Sequence, residues 1–409
     1  MNILLINHYA GSLKHGMEYR PFYLAREWVR LGHTVRIIAS SQSHIRAQAP
    51  QLHGCDQLDE TIDGVGYRWV ATPAYRGNGG ARVANMLAFV TRLHLHARRL
   101  AAEFAPDVVI ASSTYPLDIW PAHRIARCAG ARLLFELHDL WPLSPIELGG
   151  YSRRHPFIML LQAAEDYACR NACAIVSILP KVRDHLEAHG MAPHKLHIVP
   201  NGADPAEWLA APPALDGIAG ARLAALRGDG KFIVGYAGTH GLANALDTLL
   251  DAARLVADQR IAFVLAGGGP DKARLVRLAM QRGLRNVHFL DPVPKQQVPA
   301  LLAHFDVAYI GWQRQRLYRY GIAPNKLIDY MMAGRPILHS VEAGNDPVAE
   351  AGCGLTVAPQ DPVAVAHGLL ALFTLDQQER DAAGERGRAY AVAKLSYPVL
   401  ARRFLQACA

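Results

Sequence analysis

The sequence predicts an α/β protein of two doubly wound domains, each built on a parallel sheet, facing each other across a cleft. Three observations carry this. Short apolar runs rich in Val, Ile and Leu alternate with amphipathic stretches along the whole chain, which is the pattern of βαβ units. The alternation restarts near residue 200. The 409 residues are enough for two or three domains, each with its own core.

In the first half, buried strands are expected over residues 2–8, 34–40, 107–113, 131–138 and 172–179. Helical periodicity falls between them, over 17–31, 81–104 and 156–170. Val199-Pro200-Asn201-Gly202 is a turn signal, and the Pro, Ala and Gly-rich stretch 210–230 reads as a linker. New strands follow over 231–239, 261–267, 286–290, 306–312, 335–341 and 354–358, with an amphipathic helix over 242–256. The expected organisation is residues 1–200, residues 201–385, and a C-terminal helix over 386–409 that packs back on the first domain. Ligands of such sheets bind beyond the carboxyl ends of the strands.

Hydrophobic residues make up 51% and charged residues 19%, a globular balance. Six scattered cysteines form neither a disulfide framework nor a paired zinc pattern, as in a reducing cytoplasm. The first residues lack the basic lead of a signal peptide, and no apolar stretch approaches the roughly 18 residues that span a bilayer. The net charge of +8 favours anionic partners. It is spread along the chain without a basic run or an aromatic-basic platform, so nucleic acid is not expected. His94 and His96 do not make a metal pair, because positions i and i+2 of a helix point apart.

Gly11 and Gly16 lie between the first strand and its helix, and the loop lacks Gly-x-Gly-x-x-Gly spacing. Either Gly16 lets backbone N–H groups approach a phosphate at a helix N-terminus, or this is an ordinary βα turn. The second half repeats the device at Gly235-Tyr236-Ala237-Gly238-Thr239-His240-Gly241, where His240 can add a donor. Gly267-Gly268-Gly269 after the next strand leaves the backbone open to a ligand edge. Pro324 and Asn325 suit a helix start, with Lys326 as a cation beside it and Asp329 one turn in. A carboxylate at Asp329 can accept two hydrogen bonds from vicinal hydroxyls, as on a ribose, or it lies solvated on the outer face.

Asn325-Lys326-Leu327-Ile328-Asp329-Tyr330-Met331-Met332-Ala333-Gly334-Arg335-Pro336 resembles the signature helix of glycosyltransferase family four, which has the GT-B fold of two Rossmann-like domains. Leu31-Gly32-His33-Thr34-Val35, Pro200-Asn201-Gly202-Ala203-Asp204 and the run 266–270 resemble further landmarks of that family. Glu136-Leu137-His138-Asp139-Leu140-Trp141-Pro142 is similar to the bacterial O-antigen and capsule branch that resembles N-acetyl-fucosaminyl transferases. The chain departs from the family in two places. The second member of the usual Glu-x7-Glu pair is Asp329, and the first falls on Gly321. The usual pyrophosphate-binding Arg and Lys after the Gly238 strand are missing, with Lys326, Arg316 or Arg319 as replacements.

The resemblance implies a retaining, metal-independent transferase that moves a sugar from a UDP-sugar to a lipid-linked saccharide in surface polysaccharide synthesis. His138 and Asp139 would be catalytic. Gly16, Gly238, Thr239, His240, Gly268, Asn325, Lys326 and Asp329 would hold the donor. No cofactor is expected. The enzyme would be cytoplasmic and peripheral on the inner membrane face. Phe89, Arg92, His96 and Arg99 form a helical stripe suited to an anionic membrane surface. A sugar-nucleotide epimerase and an inactive sugar-nucleotide-binding protein are the alternatives. The missing side chain at Gly321 points to an N-acetylated, 6-deoxy donor such as UDP-N-acetyl-fucosamine rather than UDP-glucose.

Overall fold

A computed structural model describes residues 1–77, 79–209, 213–256 and 260–408. The chain divides into two compact units, Met1–Asn201 with Tyr397–Ala409, and Gly202–Ser396.

Unit 1 contains β1 Asn2–Ile6, α1 Arg20–Arg30, β2 Thr34–Ser40, β3 Gln57–Ile62 and β4 Val65–Val70. It continues with α2 Gly80–Leu95, α3 Ala97–Phe104, β5 Val108–Ala111, α4 Ile119–Ala129 and β6 Arg132–Leu137. Then come α5 Leu143–Glu147, α6 Pro156–Asn171, β7 Ala174–Ser177, α7 Arg183–Ala188 and β8 Leu196–Ile198. The sheet order is β3-β4-β2-β1-β5-β6-β7-β8. Ile3 on β1 stands opposite Val35 on β2 and Val108 on β5, and all three are buried.

Unit 2 contains α8 Ala206–Leu209, α9 Gly217–Gly228, β9 Phe232–Ala237, α10 Leu246–Leu255, β10 Ile261–Ala266 and α11 Lys272–Gln281. It continues with β11 Val287–Leu290, α12 Val298–Ala303, β12 Val307–Gly311, α13 Asn325–Met332 and β13 Ile337–Ser340. It closes with α14 Pro347–Ala351, β14 Gly354–Thr356, α15 Pro362–Thr374 and α16 Gln377–Leu395. Its sheet is wholly parallel in the order β11-β10-β9-β12-β13-β14. The last helix, α17 Tyr397–Cys408, belongs to unit 1. Its Tyr397 stacks on Tyr23, its Phe404 meets the edge of Trp28, and the Trp28 indole N–H donates to the Ala401 carbonyl at 3.2 Å.

The expected buried strands are all present, β2 at its full length and the others shortened by at most two residues at either end. Four expectations change. First, unit 1 has a mixed sheet, because β3 pairs antiparallel with β4. Both residues of the Asp63-Gly64 turn have positive φ, which is the usual geometry of a two-residue hairpin. Only alternate residues of β3 are even partly buried, so it lacked the apolar run that marks the other strands. Second, the stretch 210–230, of which 210–212 lie outside the described residues, is not simply a linker. It contains α9, whose Leu223 and Leu226 are buried in the unit 2 core.

Third, the helix expected over 81–104 breaks at His96 into α2 and α3, and the membrane stripe does not survive. Phe89 is fully buried, Arg92 pairs with Asp56, and Arg99 pairs with Glu103. Leu87, on the same helix, is exposed. Fourth, the segment that returns to unit 1 begins at Tyr397 and not at 386. A Cβ at Gly384 would lie 2.0 Å from the Gly334 carbonyl oxygen, so the glycine lets α16 lie directly on the turn after α13. No described helix is long and apolar enough to cross a membrane.

Candidate functional site

In unit 1, β1 and β5 are neighbours in the sheet but not in sequence, which marks a switch point where ligands of such folds bind. His138 follows directly on β6. Its Nε2 lies 3.0 Å from Ser112 Oγ and 3.3 Å from Glu136 Oε2. Ser112 Oγ donates to Glu136 Oε2 at 2.6 Å, so the His138 Nε2–H donates to the Ser112 oxygen. The other ring nitrogen, Nδ1, has no hydrogen-bond partner among the described residues.

Glu136 is fully buried against Arg20, with guanidinium nitrogens at 2.8 and 2.9 Å. Arg20 also donates to the carbonyls of Val199 and Pro200. Burial pushes the Glu136 carboxyl up, but the Arg20 charge, with His138 and Ser112, outweighs it and holds the group at about 2. A permanently ionised carboxylate therefore orients the His138 ring. Arg20 and Ser112 were not picked out from the sequence. The available signal was a glutamate inside the apolar run Leu133-Leu134-Phe135-Glu136-Leu137.

Asp139 serves its own loop. Its carboxylate accepts from the Leu140 N–H, the Trp141 indole and Ser144 Oγ, at 2.8, 3.1 and 2.6 Å. Those bonds tie the residue after His138 to the first turn of α5. Gly16 belongs to unit 1, whereas the other expected donor residues belong to unit 2. Helix α1 begins only at Arg20, and the Gly16 amide and carbonyl bond back to Ser12. Gly16 is thus part of a closed turn rather than the residue before a helix start.

In unit 2 the switch point lies between β9 and β12. The chain leaves β9 through Gly238, Thr239 and His240. Gly238 has φ 152°, and its N–H donates to the Ala266 carbonyl at 2.9 Å. A Cβ at Gly267 would sit 1.9 Å from the Gly238 carbonyl oxygen, and one at Gly269 would sit 2.4 Å from that of His240. The outer two glycines of the Gly267–Gly269 run thus let the two loops touch. Gly268 accepts from the His240 N–H at 2.7 Å.

His240 is fully buried, and neither ring nitrogen has a partner among the described residues. Burial lowers it to about 4, with Lys272 and Lys326 pushing the same way, so it is neutral at physiological pH. The expected helix over 242–256 does not begin directly after this loop. Residues Leu242–Asn244 form a 3-10 turn, Ala245 is left-handed, and α10 starts at Leu246. Its first turn carries Asp247, paired with Arg274, so it is not an open anion seat.

The open helix start belongs to α13. It begins at Asn325 as expected, its N-cap makes no side-chain bond, and no acid stands in its first turn. Asn325 is exposed there. Lys326 reaches across to the end of β9, where Nζ donates to Tyr236 Oη at 2.8 Å and Asn244 Oδ1 at 2.7 Å. The ammonium lies 4.5 Å from the Tyr236 ring centroid and 3.2 Å from where a Cβ on Gly238 would be. Burial pulls Lys326 down to about 7.

Three residues on, Asp329 is partly buried, and its side chain has no hydrogen bond among the described residues. Burial raises its carboxyl to about 7, against the Lys295 charge and with a contribution from Glu207. Arg316 and Arg319 are exposed, and Arg319 stacks on Tyr320 at 4.3 Å. Of the three candidate cations, Lys326 meets the β9 loop. Gly321 has φ 96°, a conformation that strains any other residue, so the backbone itself disfavours an acid there.

Two family models match the chain: a glycosyl transferase 4-like domain over residues 15–202 and glycosyl transferases group 1 over residues 231–374. A putative colanic acid biosynthesis glycosyl transferase of Escherichia coli K12, WcaI, is 25% identical over 69% of this chain and 68% of its own length. Among solved structures, HepE of Anabaena, determined with UDP and glucose, superposes with a TM-score of 0.68 at 15% identity, covering 99% of this chain and 98% of that one. WaaG, a glycosyltransferase involved in lipopolysaccharide biosynthesis, superposes with a TM-score of 0.66 at 16% identity over 98% of both chains.

Proposed function

Because the chain carries a glycosyl transferase 4-like domain followed by a group 1 domain and is a glycosyltransferase of the GT-B type, we propose that it moves a sugar from a UDP-sugar to a lipid-linked saccharide during surface polysaccharide synthesis, with retention of anomeric configuration. Unit 2 holds the donor and unit 1 the acceptor. The observation that carries this is Lys326 at the uncapped start of α13, set against the glycine-lined end of β9.

Departure of a nucleoside diphosphate builds negative charge on the leaving phosphate. Fixed N–H groups and a cation stabilise such charge without reorganising during the reaction. The Lys326 ammonium and the first amides of α13 fill that role, the neutral His240 offers one N–H, and the Asp329 carboxylate receives the ribose hydroxyls. His138 Nδ1 accepts a hydrogen bond from the acceptor, while Asp139 positions its loop. The WcaI and WaaG names support the polysaccharide assignment.

The donor is an N-acetylated hexose, deoxygenated at C6. Gly321 gives the site no acid with which to select a hydroxyl. The acceptor's carrier lipid places the enzyme on an anionic membrane surface. In support, Arg98, Arg124 and Arg127 converge with Trp120 and Tyr167 on a concavity of about 560 Å³ whose lining includes no carboxylate. A donor competition tests the proposal. UDP release should require both donor and acceptor, with higher kcat/KM for UDP-N-acetyl-fucosamine than for UDP-glucose or GDP-mannose. Preference for either of the latter rejects the donor assignment, and release without acceptor rejects transfer.

A further inference from the structure

The same helical geometry that excludes His94 and His96 as a pair selects His185 and His189. They are four positions apart, at the end of α7 and its C-cap, and their rings lie 4.6 Å apart by centroid. Facing them are Glu165 and Asp166 on α6. His185 Nε2 lies 2.9 Å from Glu165 Oε1, and His189 Nδ1 lies 2.8 Å from Asp166 Oδ1. One ligand atom each from Glu165, His185 and His189 can be chosen so that all three lie within 4.8 Å of one another.

Glu165 is fully buried, yet no arginine or lysine pairs with it or with Asp166 among the described residues. Gln162 Nε2 bridges the two carboxylates at 2.9 and 2.8 Å. Two adjacent carboxylates facing two imidazoles form a donor set that one dication would neutralise.

We propose that Glu165, His185 and His189, with Asp166 as fourth ligand, bind a divalent transition metal of the zinc type. Two imidazoles with carboxylate oxygens suit Zn²⁺ and the later first-row dications, whereas Ca²⁺ and Mg²⁺ want oxygen alone. Metal–ligand bonds of about 2.1 Å put tetrahedral ligands roughly 3.4 Å apart. The His185–Glu165 and His189–Asp166 pairs, at 2.9 and 2.8 Å, are a little closer than that, so an ion would part each pair slightly.

The ion has an entry route, since Gln162 and Asp166 line an open concavity of about 340 Å³. It also has structural work to do. Helix α7 has six residues and a single buried side chain, Leu186, so its own packing holds it only lightly. The metal staples it to α6 and takes no part in glycosyl transfer.

The test uses the full-length protein without a histidine tag, stripped with chelator and titrated with Co²⁺. One equivalent should give the visible absorption of a low-coordinate cobalt ion, and Zn²⁺ should displace it. Zn²⁺ should raise the melting temperature and chelator should reverse the rise. His189 is partly exposed, so His189→Gln should stay folded by circular dichroism while binding Co²⁺ at least about tenfold more weakly. A His94→Asn/His96→Asn variant should bind as the native protein does. The assignment is overturned by absence of a spectrum at one equivalent, or by undiminished binding in both His189→Gln and Glu165→Gln.

Discussion

Lys326 is held in the folded protein at a cost that a bound anion would offset. Burial brings its ammonium to about 7 from an ordinary 10.5. The unfolded chain therefore keeps this proton to higher pH than the folded one does. Stability from this group rises between about pH 7 and 10.5 and is lost as pH falls through 7. A bound diphosphate favours the charged form. UDP affinity should therefore fall by up to about tenfold per pH unit above 7, and Lys326→Met should flatten that profile in calorimetry.

Asp329 has the opposite sign. Its folded pKa is raised from 3.8 to about 7, so its contribution is present below about 4 and is lost as pH rises through 7. Asp329→Asn should melt at the same temperature or higher at pH 8, yet bind UDP about 1.5–3 kcal/mol more weakly. Unchanged affinity would remove it from the ribose contact. Both residues were legible in the sequence, because they fall one turn apart on a single motif. The Arg20–Glu136 pair was not, because it joins positions 116 apart.

Among the elements, periodicity located α1, α2 with α3, α6 and α10, but not where each one starts or breaks. Leu242 and Leu246 both fit one amphipathic stripe, and only the left-handed Ala245 separates a 3-10 turn from α10. That break moves the open helix start from the β9 loop to α13. The basic face behaves likewise. Periodicity put Arg92 and Arg99 beside Phe89, whereas packing buries Phe89 and pairs both arginines. Arg98, Arg124 and Arg127 come from α3 and α4, so no single helical wheel displays them. If they hold the enzyme to acidic lipid at about 1 kcal/mol each, changing all three to Gln should weaken binding to acidic vesicles by roughly 100-fold. Arg92→Gln/Arg99→Gln should change it little. Equal sedimentation with neutral vesicles would reject the surface.

For the whole molecule, two domains and their parallel sheets follow from the apolar runs, because a strand covered on both faces must be apolar throughout. The β3–β4 hairpin escaped that signal, since most of β3 is polar. The closing helix is the part of the fold with the longest reach. Tyr397, Leu400 and Phe404 are buried among side chains of α1 and its neighbours. At about 1.5–3 kcal/mol for each large buried side chain, ending the chain after Ser396 should cost unit 1 several kcal/mol and leave unit 2 intact. Calorimetry should then show one transition shifted and the other unmoved; two equally shifted transitions would contradict the division.

That helix also sets an order of events during synthesis. Unit 2 is interposed between the two pieces of unit 1, so the second piece is made only after all of unit 2. Unit 2 can complete its core while Trp28 and Tyr23 still lack their partners. The nascent chain therefore carries an unfinished unit 1 for as long as unit 2 is being made, and that interval is when a chaperone would hold it.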